Sequence, residues 1–251
     1  MDMGHYIKDV WLLSFLFAVL HANEKPADGD QDSGYRRFVL DGQPPRDCVD
    51  VLRYLGQEEG GIYNVTLWKS KQRIQVLCDM ETDGGGWTVF QQRFDGTLDF
   101  AETFSVYESG FGDLNSEFWL GLKYIQEMAA IGETDLRLDM KALDGTDLYE
   151  LFHNFSLSQA PDYRLHIQPG SGTIGDDSKH GLSYHTGSAF STLDHDVSPG
   201  HCPHYQKGGW WYKSCGYINF NAHHDMKMFY TTSHGYESLK ETRMMLRRTS
   251  V

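Results

Sequence analysis

Residues 135–157, "DLRLDMKALDGTDLYELFHNFSL", constrain the fold of this chain more than any other stretch. Leu136, Leu138 and Met140 alternate with charged residues, the period that sends successive side chains to opposite faces of a strand. Asp144-Gly145 then supplies turn chemistry and the chain runs back, so a β-hairpin is expected. Further β-type runs stand at "GIYNVTL" (61–67), "IQVLCDM" (74–80), "GGGWTVFQQRF" (84–94, a turn and then a strand) and "YRLHIQ" (163–168). A short helix is expected within "FWLGLKYIQEMAAIG", with Ile125, Met128 and Ala129 at helical spacing and Gly132 as its stop. Past residue 169 the periodicity fades, and residues 169–235 read mostly as loops. Aromatic residues make up 14% of the sequence, and many of them fall there beside two cysteines, which favours ordered, functional loops. The fold class is therefore α+β: a central antiparallel sheet, short helices and a loop-rich part.

At 251 residues the protein is long enough to bury a substantial core. Its formal net charge of -13 argues against nucleic acid or an anionic membrane as a main partner. Residues 1–22 read as a signal peptide: "VWLLSFLFAVL" (10–20) is an apolar run after Lys8, too short for a comfortable membrane span, and Ala22 could precede a cleavage site. Residues 23–46 are polar and rich in Asp, Gly and Pro, a flexible leader without heptads or a Gly-X-Y repeat, and the packed domain is expected over 47–251. A secreted, extracellular protein without membrane insertion follows. The four cysteines, Cys48, Cys78, Cys202 and Cys215, are an even number that allows three pairings. Pairing nearest neighbours, Cys48 with Cys78 and Cys202 with Cys215, is the simplest, and a loop the size of the second is worth about 3 kcal/mol. The sequons at Asn64 and Asn154 are candidate glycosylation sites on that route.

The stretch "STLDHDVSPGHC" (191–202) carries an acidic pair, Asp194 and Asp196, one residue apart. On an extended backbone both carboxylates point to one side, and the carbonyls of Ser198 and Gly200 alternate with them, a partial oxygen cage suited to calcium. It is not an EF-hand: Pro199 stands where that loop needs Gly, and Tyr205 where it needs a bidentate Glu. Zinc is the rival, since His201, Cys202, His204, Cys215, His223 and His224 gather nearby. The cysteines of a secreted protein are better paired with each other, and neither histidine pair has finger or zincin spacing, which weighs against zinc. "GSGTIG" (170–175) fits G-x-G-x-x-G but no helix pattern follows, so it reads as a turn. Neither G-x-S-x-G nor H-E-x-x-H occurs, and no nucleophile stands out, so no enzyme is expected.

Four stretches in order, "CDMETDGGGWTVFQQRFDGTLDF", "GFGDLNSEFWLGL", "LSYHTGSAFSTLDHD" and "GGWWYKSCGYIN", resemble the fibrinogen-related domain family of fibrinogen globes, ficolins and tachylectins. The resemblance covers about 47–251 and implies the fibrinogen C-terminal-like globe, with a calcium ion held before the third cysteine. The matching ligands here are Asp194, Asp196 and the carbonyls of Ser198 and Gly200. It also implies a ligand pocket at the fourth cysteine, where a non-proline cis bond, here Ser214–Cys215, often exposes backbone N–H groups. Those of Cys215 and Gly216 would bind an acetyl oxygen, and Tyr205, Tyr217 and Tyr236 are the candidates to hold its methyl. Trp210 and Trp211 are expected in the core or pocket wall, and Asp79 and Asp83 in structural or solvated roles. The sequence departs from the family pattern in several places. Gly216 follows the fourth cysteine where relatives often carry His, and His201 stands where Asn is usual. "NFNA" (219–222) replaces "NLNG", and the segment before "GYESLKETRMMLRR" is short.

The resemblance thus implies a calcium-dependent lectin for acetylated glycans or glycoproteins such as N-acetylglucosamine, in innate immune recognition. The alternative is a matrix or receptor-binding protein that uses the same globe for a protein ligand. A single weak sugar site usually needs multivalency, so homo-oligomerisation is expected.

Overall fold

The computed structural model describes residues 42–177, 179–215, 217–223, 226–233 and 235–250. The expected signal peptide and nearly all of the leader lie outside the described residues, as do Gly216 and His224. Among the described residues no helix is long and apolar enough to cross a membrane.

The alternating stretch forms the expected hairpin. Thr134–Ala142 pairs antiparallel with Asp147–Phe152, from Leu136 opposite Phe152 to Lys141 opposite Asp147. Gly145 takes the turn at φ 93°, a region open to glycine, and the Asp144 carboxylate accepts from Thr146 N at 2.9 Å. Leu136 and Leu138 are fully buried and Met140 nearly so. The runs near 61, 74 and 87 are strands Gly61–Thr66, Arg73–Asp79 and Trp87–Arg93, each antiparallel to the next.

The strand that unites them is Gly235–Arg248, fourteen residues near the C-terminal end of the sequence. It inserts between Trp87–Arg93 and Thr134–Ala142, and its first part also pairs with Met228–Thr232. The register slips between Met244 and Met245 opposite Gln91 and Val89, a bulge that places both methionines in the core. The "YRLHIQ" strand shrinks to Leu165–His166, paired with Ser156–Leu157 in a separate small sheet. The loop takes its backbone partners instead: Leu165 N donates to Ser188 O at 3.1 Å, and Gly187 N to Leu165 O at 2.7 Å.

The helices are short. α1 (Cys48–Leu55) begins at Asp47, whose side chain accepts from Asp50 N, and ends at Gly56 with φ 64°. α2 is Phe104–Ser109. α3 (Leu122–Ala129) buries Ile125, Met128 and Ala129 as expected, but ends three residues before Gly132. α4 is Cys202–Gln206. Both nearest-neighbour disulfides are present, Cys48–Cys78 and Cys202–Cys215. Asn64 and Asn154 are exposed.

Arg248 ties the end of the long strand to α1. Its guanidinium donates to Asp47 Oδ2 at 2.9 Å and also to Asp50, with all three side chains buried. Arg46, partly exposed, reaches Asp50 at 2.7 Å from the other side. Removing Arg248 would leave buried carboxylates short of a cation. Arg248→Ala is therefore expected to cost on the order of 3–5 kcal/mol in urea unfolding, and Arg46→Ala about 1 kcal/mol or less. Equal losses from the two variants would contradict this assignment.

Candidate functional site

The loop that carries the acidic pair is built by short-range bonds. Ser191 and Trp210 exchange backbone bonds at 2.9 and 3.0 Å, and Thr192 and His195 close a tight turn at 3.1 and 3.2 Å. Asp194 Oδ1 accepts from Thr192 Oγ1 at 2.7 Å and from Phe104 N at 2.9 Å, which fastens the loop to the start of α2. Asp196 Oδ1 accepts from Ser198 N and Oγ at 3.0 and 2.6 Å, while its Oδ2 accepts from His201 Nδ1 at 2.9 Å. Burial alone would raise the Asp196 carboxyl, but the bonds from Ser198 and His201 outweigh it and hold the group below the ordinary carboxylate range. Gly200, at φ 88°, turns the backbone so that its carbonyl lies 3.7 Å from the Cys215 sulfur.

The Cys202–Cys215 disulfide then joins α4 to the segment around Cys215. The Gln206 amide donates to the Cys215 carbonyl, and Asn219 Nδ2 donates to both Gln206 O and Oε1 at 2.9 Å. Among the described residues the cis peptide bond is Ala160–Pro161; the Ser214–Cys215 bond, where the resemblance left a cis form open, is trans.

The candidate aromatics do not converge. Tyr217 is half-buried, with ring centroids 4.7 Å from Tyr184 and 5.6 Å from His180. Tyr236 is exposed and stacks on Phe229 at 4.8 Å. These two flank Thr231, which pairs with Tyr236 and donates its N–H to Tyr217 O at 2.8 Å. Tyr205 is 68% exposed on α4, and among the described residues no ring contact joins it to either. Trp210 and Trp211 are fully buried.

Three features escaped sequence reasoning. First, a groove of about 540 Å³ crosses the central strands, lined by Arg137, Asp139, Lys141, Tyr149 and Arg243 and by none of the expected site residues. Its charges are engaged with one another, Asp139 receiving Arg137 at 2.7 Å and Arg243 at 3.4 Å. Second, the floor of the 170–183 loop holds two carboxyls. Asp176 accepts from Ser183 N, Gly170 N and Tyr230 O–H, while fully buried Glu150 accepts from Gly175 N at 3.0 Å and has an unpartnered Oε1 among the described residues. Burial, and then the Asp176 charge, push the Glu150 carboxyl up to about 7. Third, buried His185 donates Nδ1–H to Trp211 O at 2.7 Å, and burial pushes its imidazole down to about 4. The acidic type of Glu150 was visible in the sequence, but its burial was not.

The profile of the family described as "Fibrinogen beta and gamma chains, C-terminal globular domain" matches residues 44–249. Fibrinogen C domain-containing protein 1-B of Xenopus laevis is 37% identical over 194 residues, which cover 74% of this chain and 41% of that relative. The chain thus spans less than half the length of that curated relative. The fibrinogen-like globe domain of human ANGPTL2 superposes with a TM-score of 0.72 at 34% identity, covering 82% of this chain and all of that one. Lamprey fibrin D-dimer, solved with the peptide ligand Gly-His-Arg-Pro-amide, does so with a TM-score of 0.69 at 29% identity, over 84% of this chain and 76% of that one.

The two perturbed buried groups pull stability in opposite directions with pH. Unfolded His185 takes up a proton near its ordinary 6.5 and the folded imidazole only near 4, so its contribution is complete above 6.5 and lost as pH falls to 4. Glu150 is the reverse: its contribution is complete below 4.5 and lost as pH rises through about 7. Relative to the parent protein, His185→Gln should flatten the acid-side loss of unfolding free energy, and Glu150→Gln should remove the loss toward neutral pH. Urea titrations from pH 4 to pH 8 that leave both slopes unchanged would refute these assignments.

Proposed function

This protein belongs to the family of C-terminal globular domains of the fibrinogen β and γ chains, and from that premise we propose that it is an extracellular recognition module for a protein or peptide ligand. The observation that carries the reading is the make-up of the loop end. The Cys202–Cys215 disulfide and the Gln206 amide hold α4 to the Cys215 segment, while Tyr205 on α4 and, on a separate strand, Tyr236 stay exposed. Exposed aromatics on a fixed frame are what a partner surface uses as anchors. A relative of the same fold takes a short peptide. Two disulfides suit an oxidising, extracellular setting.

Calcium fits this reading. Asp194, Asp196 and the carbonyls of Ser198 and Gly200 would hold it, a set of hard oxygen donors on one closed loop. Bound there, it would supply the positive charge that fixes the loop against α2 and α4. A second reading, acetylated glycans such as N-acetylglucosamine, is favoured by the Tyr184–Tyr217 ring pair beside the Cys215 segment, a small aromatic wall for an acetyl methyl.

Retention of the purified protein on immobilised extracellular matrix protein and on an N-acetylglucosamine matrix, each with calcium and with chelator, tests both. The expected result is retention on protein that chelator abolishes and free N-acetylglucosamine does not. Retention on sugar alone, released by the free sugar, would replace the first reading with the second. Asp196→Ala should weaken calcium binding on the order of tenfold or more by removing a charged ligand, and ligand retention should fall with it. Retention that survives loss of calcium would break the coupling. Homo-oligomerisation is expected to supply avidity, and a monomer mass by light scattering would remove it.

A further inference from the structure

Asp196, His201 and His204 each bring a metal-ligating atom within 4.8 Å of the other two. The backbone sets this up. His201 takes the left-handed conformation, φ 56°, immediately before α4, and His204 lies one turn on, its N–H donating to His201 O at 3.1 Å. The left-handed turn leaves the two imidazoles close together, their centroids 6.0 Å apart. Asp196 reaches them from the preceding loop, with Oδ2 already 2.9 Å from His201 Nδ1. Both histidines are open to solvent, while the Asp196 side chain is only 10% exposed and fixed by Ser198.

We propose that Asp196, His201 and His204 form a zinc site on the first turn of α4, with water in the fourth position. The donor set separates this site from a calcium site. Two imidazoles and one carboxylate suit zinc, whereas calcium takes oxygen throughout. Zinc–ligand bonds near 2.0–2.1 Å put tetrahedral ligand atoms about 3.3 Å apart. The Asp196–His201 pair stands close to that spacing, with a proton where the metal would sit. His204 has to close at most about 1.5 Å, a side-chain rotation for an exposed imidazole. Among the described residues of that His/Cys cluster, the others are engaged elsewhere. Cys202 and Cys215 are joined to each other, and His223 faces Asp99 at 3.6 Å. Spacing rules miss the set because its third ligand comes from a carboxylate upstream of the cysteine. The site does not depend on the ligand or calcium readings above, although Asp196 is common to it and to the calcium set.

The test is calorimetric titration of the untagged, chelator-stripped, calcium-free protein with zinc chloride. One zinc per molecule is expected, and His201→Asn, His204→Gln and Asp196→Asn should each weaken it on the order of tenfold or more, as loss of a ligand from a three-ligand site requires. Thermal melts without metal establish that each variant is folded. On the unaltered protein, zinc should also shield His201 and His204 from diethylpyrocarbonate, read by mass spectrometry. The proposal is overturned if the parent protein takes up no zinc at micromolar concentrations, if any folded variant binds as well as the parent, or if the two histidines are modified equally with and without zinc.

Discussion

A run of packed aromatic rings makes the loop half of this molecule a structure rather than a tether. Trp119 lies 5.4 Å from Tyr107 and 6.2 Å from Trp211, Phe190 sits between them, and the series passes from Trp210 to Phe220 and Tyr230. Each such pair is worth roughly 0.5–1.5 kcal/mol beyond the area it buries. The polar ends of the rings are used as well: Trp119 Nε1 donates to Tyr107 O, Trp211 Nε1 to Tyr163 O, and the Tyr107 hydroxyl to Phe100 O. Residues 180–222 make little regular structure of their own, so these rings supply the burial that a strand or helix would otherwise provide.

Buried charge completes the junction between sheet and loops. Arg93, on a central strand, donates to the carbonyls of Phe220 and Ala222, and Gln91 reaches Asn221, which in turn holds Gly209 O. The "NFNA" segment is thus pinned by the sheet through its backbone, a role that depends little on its side chains except Asn221. Glu117 does the same at the other end, gathering the N–H groups of Phe94, Asp95, Gly96 and Leu98 around one carboxylate. The Arg93 Nε has no partner among the described residues, and breaking one of the bonds that are made would leave more of this buried charge uncompensated.

These two frameworks position the candidate site. Asp194 binds the start of α2, Asp196 binds Ser198 and His201, and the disulfide carries the same geometry across to Cys215. A cation held by that loop would therefore bear on α2 and α4 together.

Local chemistry was enough for the elements whose partners are near in sequence. The 134–152 hairpin follows from alternation and one Asp-Gly turn, α3 from Ile125, Met128 and Ala129, and the acidic loop from two carboxylates one residue apart. The α1 helix was not read from the sequence beyond a domain start near Asp47, because two turns are too short for a periodicity to show. Tertiary structure alone decided the rest. The C-terminal strand Gly235–Arg248 sits at the centre of the sheet, because its pairing with residues more than ninety positions away depends on which edges are left open once the core has collapsed. Glu150, Arg93 and Arg248 belong to types that are mostly exposed and yet are buried, since burial is set by what packs over a residue rather than by its type. His204 meets Asp196 only because a left-handed residue and a disulfide turn α4 back onto the loop.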